Sequence, residues 1–300
     1  MLRALHRLFL RPYRRPRLPS KRVAILIPLS TRSELTPDER ISLNHLEHHL
    51  GRYDRFFLAP DGLPLEFPER QVKRFSRKFF GSVGAHTRFL YWPGLYEAFL
   101  DYDFVFFYHL DALAFSDELE RWCDAGLDYI GPPWLKCSDT PWVTHPRVGN
   151  CGFCLMRVES ALKTLRNRYR TSPSMLWLDL FTRNCDRLGP VIDLLRWLQP
   201  RFPVSKLVNR PLEELDKMQN PGPHNVNTDI FWSDRAVRYL PEFKVASFEE
   251  GLKFGFEAAP RTCLELNGGR MPFGCHAWPR YDRKFWEPFL IDSPSATPAV

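Results

Sequence analysis

Segments typical of strands and of helices alternate along the first 110 residues. Continuous apolar runs rich in β-branched and aromatic residues predict buried strands, whereas apolar residues spaced three and four apart predict amphipathic helices. The predicted elements are a strand at 21–29, a helix at 36–50, strands at 55–60 and 71–75, a helix at 82–102 and a strand at 104–110. This order predicts an α/β fold whose open, mixed, mostly parallel sheet carries helices on both faces.

The first helix has the clearest predicted start. Thr36 is the expected N-cap, Pro37 the first helical residue, and Glu39 the side chain that completes a capping box. In an open sheet of this kind, ligands bind outside the carboxyl ends of the strands. Ser30, Pro60 and Asp111 are therefore expected on one edge of the sheet.

The rest of the chain shows no shift in composition that marks a second domain. We expect one domain over residues 22–290, with a basic helical insertion at about 158–226 and a disordered tail at 291–300. The other elements predicted here are strands at 127–131, 148–157 and 270–278 and a helix at 227–240.

Charge is concentrated at the N-terminus. The chain has a net charge of +7, but residues 1–22 hold eight Lys and Arg and no acid, so the remaining 34 basic residues are balanced by 35 acidic ones. A nucleic-acid-binding protein would carry its Lys and Arg side chains over a face of the folded domain. The concentration of basic residues at the N-terminus argues against that class of protein. The odd count of seven cysteines, without framework spacing, indicates a reducing compartment.

Two interpretations of the basic segment at residues 1–21 remain open. Its first ten residues (MLRALHRLFL) place apolar and arginine side chains on different helical faces, as in a helix lying on an anionic membrane. The alternative is a disordered, solvated start. No apolar run of 18 residues and no secretory signal are present. We expect a cytoplasmic protein, and on the first interpretation residues 1–17 attach it peripherally to the cytoplasmic face of the membrane.

Four positions are candidates for chemistry. Asp111 directly follows the most apolar strand, and it can either hold a cation together with His109 or cap the next turn. Asp229 opens an aromatic helix and can be a functional carboxylate or a helix-stabilising one. His276 lies in an apolar segment and is either a metal ligand or a histidine of the hydrophobic core. The glycines of 148–153 (VGNCGF) indicate a bulge or a ligand against the backbone.

Other features do not support a site. Cys151 and Cys154 have C-x-x-C spacing but no second pair, and in an extended strand their side chains would face opposite sides. The HLEHH segment at 45–49 is not a zinc motif, and we interpret it as a solvated helix face.

The order of several blocks resembles a family of uncharacterised domains related to GT-A-fold glycosyltransferases. The specific blocks are DYIGPPW, GNCGF and FGCHAW, and the resemblance covers about residues 22–290. It implies a GT-A-like metal-dependent glycosyltransferase that moves a sugar from a nucleotide-sugar donor to a glycan or lipid-linked acceptor. Direct displacement with inversion is favoured.

The resemblance also implies a role for each matching position. Asp111 and His276 would bind Mn²⁺ or Mg²⁺ on the donor diphosphate, and Asp229 would be the catalytic base. His109 stands where the motif's first Asp would contact the nucleotide sugar, and Trp134, Asn150 and Gly152 would line the acceptor side. We also expect Pro28, Ser30 and Arg88 as nucleotide and phosphate contacts, with surface packing as the alternative for Arg88.

Three residues depart from the family's pattern. Cys151 replaces a glycine and adds bulk where the sugar or acceptor would approach, Cys154 replaces a serine, and Thr228 replaces a glutamate. These departures keep open the alternative of a catalytically inactive, membrane-associated module that binds nucleotides or glycans.

Overall fold

Six strands form a central mixed sheet in the computed structural model, which describes residues 21–65, 67–68, 71–170, 194–195, 197–198 and 228–291. The strands are β1 Lys21–Pro28, β2 Asp54–Pro60, β3 Val72–Phe75, β4 Tyr102–Tyr108, β5 Leu113–Ala114, β6 Tyr129–Ile130, β7 Pro133–Trp134, β8 Arg147–Val148, β9 Phe153–Arg157, β10 Gly255–Phe256 and β11 Gly274–Cys275. The order of the central strands is β3-β2-β1-β4-β9-β6, and the shorter pairings β10-β11-β5 and β7-β8 lie outside this sheet.

Helices connect these strands. They are α1 Pro37–Leu50, α2 Val83–Leu90, α3 Pro93–Glu97, α4 Leu119–Asp124, α5 Val158–Arg170, α6 Thr228–Ile230, α7 Phe248–Phe254, α8 Pro260–Leu266 and α9 Arg283–Trp286. Helix α1 begins as expected: Thr36 Oγ1 accepts from the Glu39 amide, and the Glu39 carboxylate accepts from the Thr36 amide. The single helix predicted over 82–102 is wrong, because Pro93 starts a new helix and Tyr102 already belongs to β4.

The strand directions create one edge where several strand ends meet. β1 runs parallel to both β2 and β4, with Leu26 opposite Phe107. β9 runs antiparallel to β4, with Tyr108 opposite Phe153. The carboxyl ends of β1, β2 and β4 therefore meet the amino end of β9, and we call this the carboxyl edge.

Both faces of the sheet are covered, as the sequence predicted. Side chains alternate along β4: Val105 and Phe107 pack in a core with α2, α3 and α5, while Phe106 and Tyr108 pack in a second core with α1 and α4. Full burial of one such aromatic side chain contributes about 2–3 kcal/mol. The fold is thus α/β with a mixed sheet between two hydrophobic layers.

Two predicted strands are shorter than expected. The strand predicted over 148–157 is interrupted by a loop at residues 149–152, where the Gly149 amide donates to the Pro132 carbonyl at 3.0 Å. The strand predicted over 270–278 is reduced to Gly274–Cys275, and Ala277 has a φ of 53° that no extended strand tolerates. Both irregular segments carry candidate site residues.

The helix predicted over 227–240 is irregular. After α6, a π-helical turn spans Phe231–Arg235, and a 3₁₀ turn spans Ala236–Arg238. The segment at 1–20, most of the insertion at 171–226, and the tail after Ile291 lie outside the described residues. Within the described part of the chain, no helix has the length and apolar character to cross a membrane.

The interpretation of residues 45–49 as a solvated face holds for His48 and is wrong for His45. His45 is fully buried. Its Nδ1 donates to the Ala114 carbonyl at 3.0 Å, and its Nε2 accepts from the Ile291 amide at 2.9 Å. His45 therefore joins α1 both to β5 and to the chain segment that follows α9.

Candidate metal centre

His109 and Asp111 lie in a turn that follows β4 at the carboxyl edge. The His109 amide donates to the Gly152 carbonyl at 2.8 Å, and the Ala112 amide donates to the His109 carbonyl at 3.0 Å. His109 and Asp111 are therefore not successive same-face residues of an extended strand. The turn, rather than the strand, brings them together.

His276 reaches the same place from the far end of the sequence. It directly follows β11, which pairs with β5 and β10. The His276 amide donates to the Phe256 carbonyl at 2.9 Å, and the Trp278 amide donates to the Asp111 carbonyl at 3.1 Å. These backbone bonds hold His276 Nε2 at 3.2 Å from Asp111 Oδ1.

The three side chains form a cluster that could hold a metal ion. One ligand atom from each of His109, Asp111 and His276 lies within 4.8 Å of the others. The Nε2 atom of His109 is buried and makes no hydrogen bond within the described structure, and the Nε2 atom of His276 faces the Asp111 carboxylate at 3.2 Å. Buried polar atoms without a partner are costly, so this donor set fits a divalent cation.

The charges of the cluster are strongly coupled. Burial, reinforced by His86 and His276, lowers the pKa of His109 to about 3, so its imidazole is neutral. Burial opposes the charged forms of both Asp111 and His276. The attraction between the two charges outweighs burial, so the pKa of Asp111 is lowered and the pKa of His276 is raised well above its ordinary value. Without a cation His276 is protonated, and a bound cation would displace that proton.

Glu257 is a central member of the site that sequence reasoning missed. Its buried carboxylate accepts from His276 Nδ1 at 3.0 Å, from Asn150 Nδ2 at 2.6 Å and from Trp134 Nε1 at 2.9 Å. The sequence carried a usable signal, because Glu257 is the only charged residue in the apolar segment FGFEAA. A buried carboxylate must find partners.

Gly149 and Gly152 lie in the loop before β9, at positions where neighbouring side chains leave no room for a Cβ. A Cβ on Gly152 would overlap Nε2 of His276, and a Cβ on Gly149 would overlap the Trp134 ring. The groups that lie against this backbone are therefore side chains of the protein itself. The predicted acceptor residues Trp134, Asn150 and Gly152 are brought together beside His276.

Asp229 lies next to the same loop. Its Oδ1 accepts from the Cys151 amide at 3.1 Å. Burial and then the negative charge of Glu257 raise the pKa of Asp229 to about 6, although Cys151 and His276 act in the opposite direction. A carboxyl group with this pKa can take up and release a proton near neutral pH.

Comparisons with known proteins place the sequence in a family. The profile described as "Protein of unknown function (DUF5672)" matches residues 69–276. The chain belongs to this family. No curated protein matches the sequence. Among solved structures, one described as "Crystal Structure of A197 from STIV" is similar at 15% identity and a TM-score of 0.28, covering 47% of this chain and 68% of that one.

The two cysteines of this DUF5672 member do not face opposite sides. Cys151 and Cys154 pack in the same core, because Cys151 precedes β9 and is not part of the extended strand. The Cys151 thiol lies 3.4 Å from the Tyr129 hydroxyl, and burial raises its pKa. The buried Cys151 side chain also interacts with the Asp229 carboxyl group, and the expectation that it adds bulk where the sugar or acceptor would approach stays a prediction.

Of the remaining predicted residues, Pro28 and Ser30 lie at the carboxyl edge. Pro28 ends β1, and the exposed Ser30 accepts through Oγ from the Arg32 amide at 3.1 Å. Arg88 lies in α2, the helix whose His86 ring packs at 5.0 Å from the His109 ring. An open cleft of about 530 Å³ lies next to Ser30 in the sequence. It is lined by residues 31–36, Leu63 and Pro64.

Proposed function

We propose that this DUF5672 protein is a metal-dependent glycosyltransferase of GT-A-like fold, which moves a sugar from a nucleotide-sugar donor to a glycan or lipid-linked acceptor. The observation that carries the proposal is the His109–Asp111–His276 cluster with Asp229 nearby, a carboxyl group whose pKa is about 6. A cation site beside a carboxyl group able to accept a proton is what sugar transfer from a diphosphate requires.

The donor side of the proposal rests on the sheet. The ends of β1, β2 and β4 meet at one edge, which is where open α/β sheets bind ligands. The cleft at residues 31–36 lies next to this edge and has the size of a small-molecule site. We assign the nucleotide to this cleft, with Pro28 and Ser30 at its border and Arg88 as a phosphate contact.

The cation would be held by His109, Asp111 and His276. When bound, it would supply Lewis-acid stabilisation of the departing diphosphate. Two imidazole nitrogens and one carboxylate suit Mn²⁺ better than Mg²⁺, which prefers oxygen ligands. His109 is thus better explained as a ligand than as the nucleotide contact that the resemblance implied.

Asp229 would take the proton from the acceptor hydroxyl. The charges of both Glu257 and His276 act on it, so it lies close to the cation side of the site. Asn150 and Trp134 would border the acceptor. Attack by a directly deprotonated hydroxyl inverts the anomeric centre, so the proposal includes inversion.

The test is turnover of UDP- and GDP-sugars by the full chain, with Mn²⁺, with Mg²⁺ and with EDTA. We expect hydrolysis or transfer that requires Mn²⁺ and is lost in Asp111→Ala and His276→Ala. The exposed Glu242→Ala is the control and should retain turnover. Turnover that persists in both metal-site variants would overturn the assignment of the cation.

A specific observation favours the alternative of an inactive module that binds nucleotides or glycans. Thr228, which replaces a glutamate of the resembled pattern, is buried and offers no carboxylate. Thermal-shift measurements separate the two functions, since stabilisation by nucleotides in Mn²⁺ without turnover of any donor supports the module. Attachment to the cytoplasmic face of a membrane through residues 1–17 is part of both proposals, and fractionation of a chain lacking them tests it.

A further inference from the structure

We propose that Glu257 is a positioning residue that fixes His276 as a cation ligand and joins the cation site to the acceptor side. This inference rests on the cation site of the proposed function, but not on sugar transfer. It concerns one buried carboxylate and the three side chains that donate to it.

The Glu257 carboxylate is buried and accepts three hydrogen bonds. Its side chain is 8% exposed. Oε1 accepts from both His276 Nδ1 and Asn150 Nδ2, and Oε2 accepts from Trp134 Nε1. A buried carboxylate with three donors has a fixed position, so it can serve as a rigid support for its neighbours.

The contact with Glu257 decides which ring nitrogen of His276 carries the proton. A carboxylate only accepts hydrogen bonds, so His276 Nδ1 must carry the proton in this contact. The lone pair available to a cation then belongs to Nε2, which lies 3.2 Å from Asp111 Oδ1. A carboxylate behind a metal-bound histidine fixes its tautomer and its orientation and raises its basicity.

Glu257 also contacts residues proposed for the acceptor side. Asn150 donates to Glu257 through Nδ2, while its Oδ1 accepts from the Gly152 amide at 2.6 Å. The same carboxylate therefore holds the backbone against which the His276 ring lies. Trp134, its third donor, packs edge-on at 4.9 Å against the half-exposed Trp142. Loss of Glu257 should disturb the cation ligand and this aromatic pair together.

The experiment is Mn²⁺ titration of the full-length Glu257→Gln variant, followed by electron paramagnetic resonance of the free ion. We expect Mn²⁺ affinity to fall by about tenfold to hundredfold, the usual effect of removing a carboxylate behind a ligating histidine. Tryptophan fluorescence should change in the same variant, because Trp134 loses a charged partner. Thermal unfolding confirms that the variant is folded.

Asp128→Asn is the matched control. Asp128 is also a buried carboxylate with three donors, namely Arg157 Nε, Ser160 Oγ and the Lys244 amide. It contacts the carboxyl end of β9, which is the opposite edge of the sheet. This variant should lose stability but bind Mn²⁺ within about twofold of the wild type.

Each outcome bears on the proposal. Unchanged Mn²⁺ affinity in a folded Glu257→Gln overturns it, and so does an equal loss in Asp128→Asn. If Glu257→Gln does not fold, Glu257→Asp replaces it, because aspartate keeps the charge on a shorter side chain. We expect the Mn²⁺ affinity of this variant to fall by about tenfold, and wild-type affinity would overturn the proposal. Reduced affinity in a protein that turns over no sugar nucleotide supports the role of Glu257 and refutes the proposed function alone.

Discussion

Replacement of Asp229 by asparagine should stabilise the protein while removing the proposed base. The carboxyl group has an ordinary pKa of 3.8, which burial raises to about 6 in the folded chain. At neutral pH, the charged Asp229 carboxylate therefore has a higher free energy in the folded chain than in the unfolded one, which lowers the stability of the fold. An amide of the same shape has no charge to bury and can still accept from the Cys151 amide through Oδ1.

The size of the stabilisation expected for Asp229→Asn follows from the raised pKa of Asp229. A group whose folded pKa exceeds its unfolded value contributes stability that is present below the unfolded pKa and is lost as the pH rises through the folded one. The shift of about two pH units corresponds to about 3 kcal/mol at pH 7.5. A neutral amide accepts the Cys151 hydrogen bond more weakly than a carboxylate, so about 2 kcal/mol of stabilisation should be observed for Asp229→Asn.

The assay is urea unfolding of wild type and variant in EDTA, at pH 4.0 and at pH 7.5. The two proteins should differ little at the lower pH, and the variant should be about 2 kcal/mol more stable at the higher pH. Asp234→Asn is the control, because Asp234 is exposed in the following π-helical turn, and it should differ from wild type by less than about 0.5 kcal/mol. A difference for Asp229→Asn that is the same at both pH values would refute burial of the charge as the cause.

Three further predictions concern the cation site and the core. Gly152→Ala should weaken Mn²⁺ binding by at least about tenfold in a titration, because the added Cβ overlaps His276 Nε2; wild-type affinity would contradict this packing. Mn²⁺ affinity of the wild type should rise between pH 6 and pH 8, because the raised pKa of His276 makes the cation compete with a proton, and a flat profile would contradict it. His45→Leu should lower the free energy of unfolding by about 2–3 kcal/mol in urea, because Ala114 and Ile291 lose their buried partner; a loss below about 0.5 kcal/mol would count against that role.

Regular elements of the fold could be predicted because local patterns specify them. The run ending at Pro28 and the capping box of Thr36 and Glu39 agree with the structure to within a residue or two. The helix over 82–102 was wrong because apolar periodicity continued across Pro93, although that proline starts a second helix. Short pairings such as Gly274–Cys275 depend on partners distant in sequence, and no local pattern reveals them.

Candidate site residues were found where an ionisable side chain interrupts apolar sequence. This signal identified Asp111 and His276, and the structure brings both together. Glu257 carries the same signal and was missed because no resembled block includes it. His86 gave no signal, since its contact with the His109 ring arises only when α2 packs on the sheet.

The backbone bond from Trp278 to Asp111 has a consequence for protein synthesis. The two halves of the cation cluster are made far apart in time, because translation reaches Asp111 long before it reaches His276. A nascent chain that still lacks β11 therefore has Asp111 and His109 but not His276. Under the proposed function, the cation could be held by all three side chains only after β11 has been made and has paired with β5.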